Sequence, residues 1–272
     1  MIGFINNKYI PIKQMKFSHT NLSLSRGFGA FELVMCLNGE IFRKEDHLAR
    51  LEKTLEILGL ELNRDIDISL VLQNLVLKNN LNSHLIKIIV SSSSKLSDEY
   101  NLTYPGLFVW PVSFSVPAPA LVNRGVSVII RDYSRFLPEA KTTNYLASVY
   151  YLSGEKGKKF FDVLFRTGNE VREASRSNVF LVKDSVLITP EKNILMGITR
   201  KVVLEIAETL GIKVKYSPLS DDDIKNSDEI FLTGTSKGIM PVTMIEGMNE
   251  SSGLPGPMTK LLIQEYNTLL PG

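Results

Sequence analysis

Lys141, in the segment PEAKTTNYL, falls between a strand pattern and a helix pattern. An amine at such a junction can lose part of its hydration, and a desolvated lysine becomes a usable nucleophile and base. Taken alone, the spacing fits a surface lysine in a turn better, since lysine is seldom fully buried. Glu173, in EVREASRSNVF, sits among small and polar residues rather than in a charged run. Its carboxylate could hydrogen-bond a protonated ring nitrogen; it also reads as an ordinary strand-end glutamate. Two further segments suit an anion. Gly197-Ile198-Thr199-Arg200 opens an amphipathic helix whose free N–H groups and positive dipole end attract phosphate, with Thr199 as the expected cap. Gly234-Thr235-Ser236-Lys237-Gly238 follows a strand pattern and is glycine-flanked, so its amides and hydroxyls could form an anion nest. Arg50 lies beside the Leu48, Leu51, Leu55 stripe of a helix pattern, either as a solvated arginine or as a phosphate ligand on the helix flank. No nucleotide fingerprint is present: the GxxxxGK[ST] spacing is missing, and Gly27-Phe28-Gly29 reads as a tight turn with close backbone approach.

The elements that must position these residues follow from periodicity. Strand signals occur at Phe4 to Tyr9 and Ala30 to Leu37, the latter turning at Asn38-Gly39 into Glu40 to Phe42. A helix follows with Asp46 as the expected N-cap and Gly59 just past its end, then a helix over Ile66 to Lys78. Strands are expected at Leu85 to Ser91 and Leu107 to Ser113, with an exposed loop beginning at Ser91 to Ser94. The two prolines of VPAPALVN suggest a stiff, extended linker over 116–124, between a small α/β domain, 1–115, and a larger one, 125–272. In the second part a strand at Val126 to Arg131 precedes a long helix over Asn144 to Lys156. Short strands at Asp162 to Arg166, Asn178 to Val182 and Val186 to Thr189 lead to a helix from Thr199 to Leu210. A strand at Val214 to Tyr216, a short helix near Asp221 to Lys225, a strand at Glu229 to Thr233 and a helix from Met258 to Leu269 complete the reading.

Composition narrows the chemistry. The chain has 272 residues, 44% of them hydrophobic, enough for a sizeable core. With 31 basic against 29 acidic residues, the net charge of +2 gives no reason to expect nucleic acid. The single thiol, Cys36, has no internal partner, which suits a reducing, cytoplasmic setting, and the scattered His19, His47 and His84 do not suggest a metal site. The N-terminus lacks a signal peptide's pattern, and the most apolar stretch is cut by prolines, so no membrane span is expected.

Six segments in order resemble the class IV, fold type IV, pyridoxal-phosphate enzymes, a group that includes branched-chain and D-amino-acid aminotransferases and aminodeoxychorismate lyase. They are RGFGAFE (Arg26 to Glu32), EDHLARL (Glu45 to Leu51), KTTNYL (Lys141 to Leu146), EASRSNVF (Glu173 to Phe180), GITR (Gly197 to Arg200) and GTSKGIMPV (Gly234 to Val242). The resemblance spans nearly the whole chain and implies a two-domain α+β architecture, with Lys141 carried in the larger domain. It implies that Lys141 forms the Schiff base with pyridoxal 5′-phosphate and that Glu173 pairs with the pyridine nitrogen. Arg50, Thr199, Thr235 and the backbone N–H of Ile198 hold the phosphate, and Tyr145 stands near the phenolic oxygen. Phe31, Ser236, Arg26 and Arg176 are the positions expected to meet substrate. A homodimer is implied as well. The arginine and histidine, spaced R-x-H, that trap substrate carboxylate in D-amino-acid transaminases are missing; Ser91 to Ser94 stand there, and Arg26 or Arg176 is the expected replacement. The activity implied is amino transfer between a small amino acid and a 2-keto acid. The lyase alternative, releasing pyruvate from aminodeoxychorismate, is disfavoured by Glu32, where that lyase tends to carry threonine. A non-catalytic binder of the cofactor is disfavoured by Lys141 and Glu173 together.

Overall fold

Short alternating segments at the N-terminal end pair into one antiparallel sheet. The strands are β1 (Ile2–Ile5), β2 (Lys8–Pro11), β3 (Ala30–Leu37), β4 (Glu40–Ile41), β5 (His84–Ser91) and β6 (Gly106–Ser113), in the order β2-β1-β6-β5-β3-β4. Where one strand was expected from Phe4 to Tyr9 there is a hairpin, because Asn6 and Asn7 both adopt positive φ and reverse the chain. A short helix α1 (Leu22–Arg26) ends on Gly27 at φ +66. Gly29 follows so closely packed that a Cβ there would meet Ser23 Oγ at 2.0 Å and the Val90 carbonyl at 3.0 Å.

Ala30, Glu32, Val34 and Cys36 turn to one face of β3, and all are fully buried. Over that face lie α2 (Lys44–Leu58) and α3 (Ile68–Asn79), whose Leu51, Val71, Leu72 and Leu75 join Ile86, Ile88, Leu107 and Val109 in one core. The helix α2 begins earlier than Asp46, after Arg43 at φ +53, so Asp46 serves in the first turn, where its charge favours the dipole.

The computed structural model describes residues 1–63, 65–93, 105–154, 159–250 and 254–272. Contacts divide the chain into two units: Met1–Ser115 with Ala140–Tyr145 and Leu270–Gly272, and Val116–Glu139 with Leu146–Leu269. This differs from the expected division in two respects. The supposed linker contains a helix, α4 (Pro119–Arg124), because Pro119 occupies the first turn, where its missing N–H costs nothing. Lys141 belongs to the first unit rather than to the larger one, because its segment bonds to the start of β3. Ser91 and Ser92, expected in an exposed loop, are buried, and the rest of that stretch, 94–104, lies outside the described residues.

The second unit continues with β7 (Val126–Asp132), α5 (Leu146–Ser153), β8 (Asp162–Thr167), β9 (Glu170–Ala174), β10 (Ser177–Lys183), β11 (Val186–Thr189) and α6 (Ile198–Thr209). Then come β12 (Val214–Tyr216), β13 (Leu219–Ser220), α7 (Asp221–Lys225), β14 (Glu229–Gly234), β15 (Gly238–Ile245), β16 (Asn249–Glu250) and α8 (Pro257–Thr268). Its sheet runs β12-β11-β10-β14-β15-β7-β8-β9-β13, and β9 also pairs with β10, so the sheet curls back on itself. Val128, Leu164, Val179, Leu181, Leu232 and Met240 fill its core. The helix expected from Asn144 starts at Leu146, since 140–145 are drawn out along the start of β3; its expected C-terminal end reaches 155–158, outside the described residues. Among the described residues no helix is long and apolar enough to cross a membrane.

Candidate active site

In the first unit, Lys141 is pinned by its backbone. The Phe31 N–H donates to the Lys141 carbonyl at 2.9 Å, the Thr143 N–H to the Gly29 carbonyl at 2.9 Å, and the Lys141 N–H to Thr54 Oγ1 at 3.1 Å. The side chain is thereby directed onto Phe31, with Nζ 4.4 Å from the ring centroid. Tyr145 meets the same ring edge-on, at 5.5 Å and 74°. Lys141, Phe31 and Tyr145, chosen from separate segments of the sequence, therefore come together.

Beneath them, on the opposite face of β3, Glu32 forms the centre of a buried charge cluster. Arg50 donates to it twice, from Nε at 2.7 Å and Nη2 at 2.9 Å, and His47 Nδ1 lies 2.8 Å from Oε2. Burial pushes the Glu32 carboxyl up, but the Arg50 charge and the His47 and Arg50 hydrogen bonds outweigh it and hold the group far below the usual carboxylate range. Burial pushes the His47 imidazole below its usual pKa, and Glu32 only partly opposes this. A neutral imidazole facing a carboxylate must carry its proton on Nδ1. Arg50 is thus not the solvated arginine of the plainer reading: its side chain is 9% exposed and its guanidinium plane is set by Glu32. His47 and Thr54 were missed from sequence. Their spacing was the available signal, since positions 47, 50 and 54 share one face of a helix.

In the second unit, Glu173 lies on β9, one residue before its end, and is buried. Its Oε1 accepts from Arg135 Nη1 at 3.0 Å and its Oε2 from the Leu195 N–H at 3.1 Å, while Arg135 Nη1 also donates to the Pro138 carbonyl at 2.9 Å. Arg135 gave no sequence signal. The N-cap of α6 is Gly197, with no side-chain cap, so Thr199 does not cap the helix but sits in its first turn. Ile198, Thr199 and Arg200 are all buried. A buried helix start without a side-chain cap leaves N–H groups that require an anion or water. Glycine is required at 197, because a Cβ there would lie 2.1 Å from Asn178 Oδ1, and Asn178 is held by its own bond to the Leu195 carbonyl at 2.8 Å.

Thr235 and Ser236, both half-buried, form the tip of the β14–β15 hairpin, closed by the Lys237 N–H donating to the Gly234 carbonyl at 3.0 Å. Lys237 does not join them at the surface. Its ammonium is buried on Asp162 and donates to Ser177 Oγ at 2.8 Å, and Ser175 Oγ also donates to Asp162. Burial pushes the Asp162 carboxyl up, but the Lys237 charge and these hydrogen bonds hold it below its usual value. Arg26 and Arg176, each in its own unit, are exposed and donate to backbone carbonyls, of Ser25 at 3.1 Å and of Phe161 at 3.3 Å respectively. Among the described residues no cluster of His, Cys, Asp and Glu could hold a metal ion.

The family model described as amino-transferase class IV matches residues 29–245. The chain is 30% identical to a D-alanine aminotransferase of Staphylococcus epidermidis, over 97% of this chain and 95% of that one. It is 29% identical to a putative branched-chain-amino-acid aminotransferase of Methanocaldococcus jannaschii, over 98% and 95%. The branched-chain amino acid aminotransferase structure from Escherichia coli superimposes with a TM-score of 0.89 at 24% identity, covering 98% of this chain and 94% of that chain.

Proposed function

The chain belongs to the class IV aminotransferase family, and from that premise we propose that it moves an amino group between a small amino acid and a 2-keto acid, with Lys141 as its reacting amine. The family's cofactor is pyridoxal 5′-phosphate, and residues of this chain fit it. The buried start of α6, with no side-chain cap behind Gly197, suits the phosphate. We assign to the phosphate the N–H groups of Ile198 and Thr199, the hydroxyl of Thr235, and the guanidinium of Arg50. When bound, the cofactor supplies the electron sink for charge developing at the substrate Cα.

The chain's own groups do the rest. With the cofactor bound, Lys141 Nζ would act as the base that takes up and returns the proton at the substrate Cα. Glu173 is held from two sides, by Arg135 and by the Leu195 N–H, and this fixed carboxylate is assigned to retaining a proton on the pyridine nitrogen. Tyr145, packed against Phe31, is assigned to the phenolic oxygen. The observation that carries the reading is the pinning of Lys141: three backbone hydrogen bonds fix the segment while the amine is turned onto an aromatic ring. The names of the relatives, D-alanine and branched-chain aminotransferases, support a small amino acid as donor. Leu146, Val149 and Tyr150 lie exposed along one face of α5, which supports a homodimer, testable by sedimentation. The lone thiol, Cys36, is buried and unbridged, in keeping with a cytoplasmic enzyme.

The test is the visible absorbance of the purified protein. A cofactor band present in wild type and lost in Lys141→Ala supports the assignment; a band indifferent to Lys141 defeats it. Amino donors are then screened against keto-acid acceptors, and turnover of a donor–acceptor pair is expected. Pyruvate released from 4-amino-4-deoxychorismate, with no donor turned over, would replace the transferase by the lyase.

A further inference from the structure

The second unit keeps a buried ion pair that the proposed chemistry does not use. Asp162, at the start of β8, is fully buried, and Lys237, at the end of the β14–β15 turn, is 8% exposed. The carboxylate is saturated. Its Oδ1 accepts from Ser175 Oγ and, at 2.9 Å, from the Val163 N–H; its Oδ2 accepts from the Lys237 ammonium and, at 3.1 Å, from Ser177 Oγ. The ammonium is equally occupied. Besides Asp162 it donates to Ser177 Oγ at 2.8 Å, and its nitrogen lies 4.8 Å from the Phe161 ring centroid. The acceptor positions of the one group and the N–H donors of the other are thus filled from within the protein. The pair has nothing left to offer a ligand and can act only through the segments it joins.

Those segments carry the candidate site. Ser175 and Ser177 flank Arg176 in the turn between β9 and β10, directly after Glu173 and Ala174. Lys237 closes a four-residue turn from Gly234, with Thr235 and Ser236 as its central residues. The turn's own bond, from the Lys237 N–H to the Gly234 carbonyl, uses neither central N–H. The two turns also touch: a Cβ at Gly234 would stand 3.3 Å from the Arg176 carbonyl oxygen and 3.6 Å from Ser177 Oγ. Asp162 therefore ties both turns to β8, one through two hydroxyls and the other through an ammonium.

Stability alone is a weak reason for such a pair. Desolvating two charges offsets most of their attraction, and apolar side chains of similar size would hold the turns together as well. Apolar contacts lack direction, whereas charge-assisted hydrogen bonds fix the geometry of the groups they join. We propose that the Asp162–Lys237 pair is a positioning device that sets the Thr235 tip for the cofactor phosphate. The assignment rests on Thr235 being a phosphate ligand.

Two variants test it. Asp162→Asn with Lys237→Met removes both charges together and leaves no unpaired buried charge; Ser177→Ala takes one acceptor from the ammonium and leaves the ion pair. Each protein, freed of cofactor, is titrated by absorbance with pyridoxal 5′-phosphate and with pyridoxal, which has no phosphate. A general loosening would weaken both ligands alike; a misplaced tip weakens only the first. The double variant should bind pyridoxal 5′-phosphate about 3-fold to 10-fold more weakly, what one misplaced hydrogen bond is worth, with pyridoxal affinity unchanged. Ser177→Ala should shift the ratio of the two affinities in the same direction by less. In a Thr235→Val background the loss should disappear, because the contact through which the pair acts is already gone. An unchanged ratio in both variants overturns the proposal. So does an undiminished loss in the Thr235→Val background when Thr235→Val itself binds phosphate more weakly. If Thr235→Val leaves the ratio as in wild type, it is the phosphate assignment that fails. Hydrogen exchange at the N–H of residue 237 then decides for the pair: lost protection in the double variant upholds its hold on the turn, and unchanged protection overturns it. Melting transitions confirm that each variant is folded.

Discussion

Glu32→Gln removes one charge from the buried cluster while keeping its shape. In the wild type Glu32 is fully buried and accepts both Arg50 bonds, and Arg50 itself is almost wholly buried. The amide leaves that guanidinium without its counter-charge and presents it with an NH2 group in place of one acceptor. Removing one partner of a buried pair costs about 3–5 kcal/mol, which for a protein of this size lowers the melting temperature by about 10 °C. If Arg50 holds phosphate, loss of its fixed plane should also raise the cofactor dissociation constant about tenfold. Removing both partners, in Glu32→Gln with Arg50→Met, deletes the unpaired charge, so the double variant should melt above Glu32→Gln alone. Acid should narrow the gap between wild type and Glu32→Gln. The carboxyl's folded pKa is depressed, so its stabilisation is present above the unfolded value of about 4.3 and is lost as pH falls towards the folded one. Calorimetric scans between neutral and acid pH, with cofactor titrations by absorbance, read all of this. Equal melting of wild type and Glu32→Gln, or a double variant worse than the sum of the singles, would refute the reasoning.

The same physics yields further expectations. His47 is pushed below its usual pKa by burial, so the unfolded chain takes up its proton first; stability should be full above about pH 6.5 and decline as pH falls. His47→Gln should flatten the decline between pH 7 and 5 in urea-unfolding series, and an unchanged slope would count against a buried neutral imidazole. Gly197→Ala should weaken cofactor binding, because the new methyl meets Asn178 Oδ1, and Asn178→Ala should restore part of it; equal affinities across the three proteins would contradict the cradle. Lys237→Met leaves the Asp162 carboxylate buried without its cation and should cost about 3–5 kcal/mol, while Asp162→Asn with Lys237→Met should cost less. Urea midpoints for the single and double variants decide the matter.

Elements with strong local signals were legible without the structure. The strands Ala30–Leu37 and Val186–Thr189 and the short helix Asp221–Lys225 have their expected limits, since alternation, turn residues and caps all agree there. Elements whose boundaries depend on distant contacts were not. Nothing local shows that 140–145 is drawn out beside β3 and so delays α5, or that Asn6-Asn7 folds Phe4 to Tyr9 into a hairpin.

For the site the division is similar. The order of short motifs and the residue types at Lys141, Glu173, Thr199 and Thr235 belong to the sequence, as does the lack of any cysteine or histidine pattern for thiol or metal chemistry. Tertiary structure alone decided which charges are paired. Arg50 could not be told from a solvated arginine until Glu32 was found opposite it, nor Lys237 from a surface loop lysine until Asp162 was found within its reach. Periodicity encodes which face a side chain takes; burial, counter-charge and the partner across a sheet are properties of the folded chain, and they are what separate a reactive or binding cation from an ordinary one.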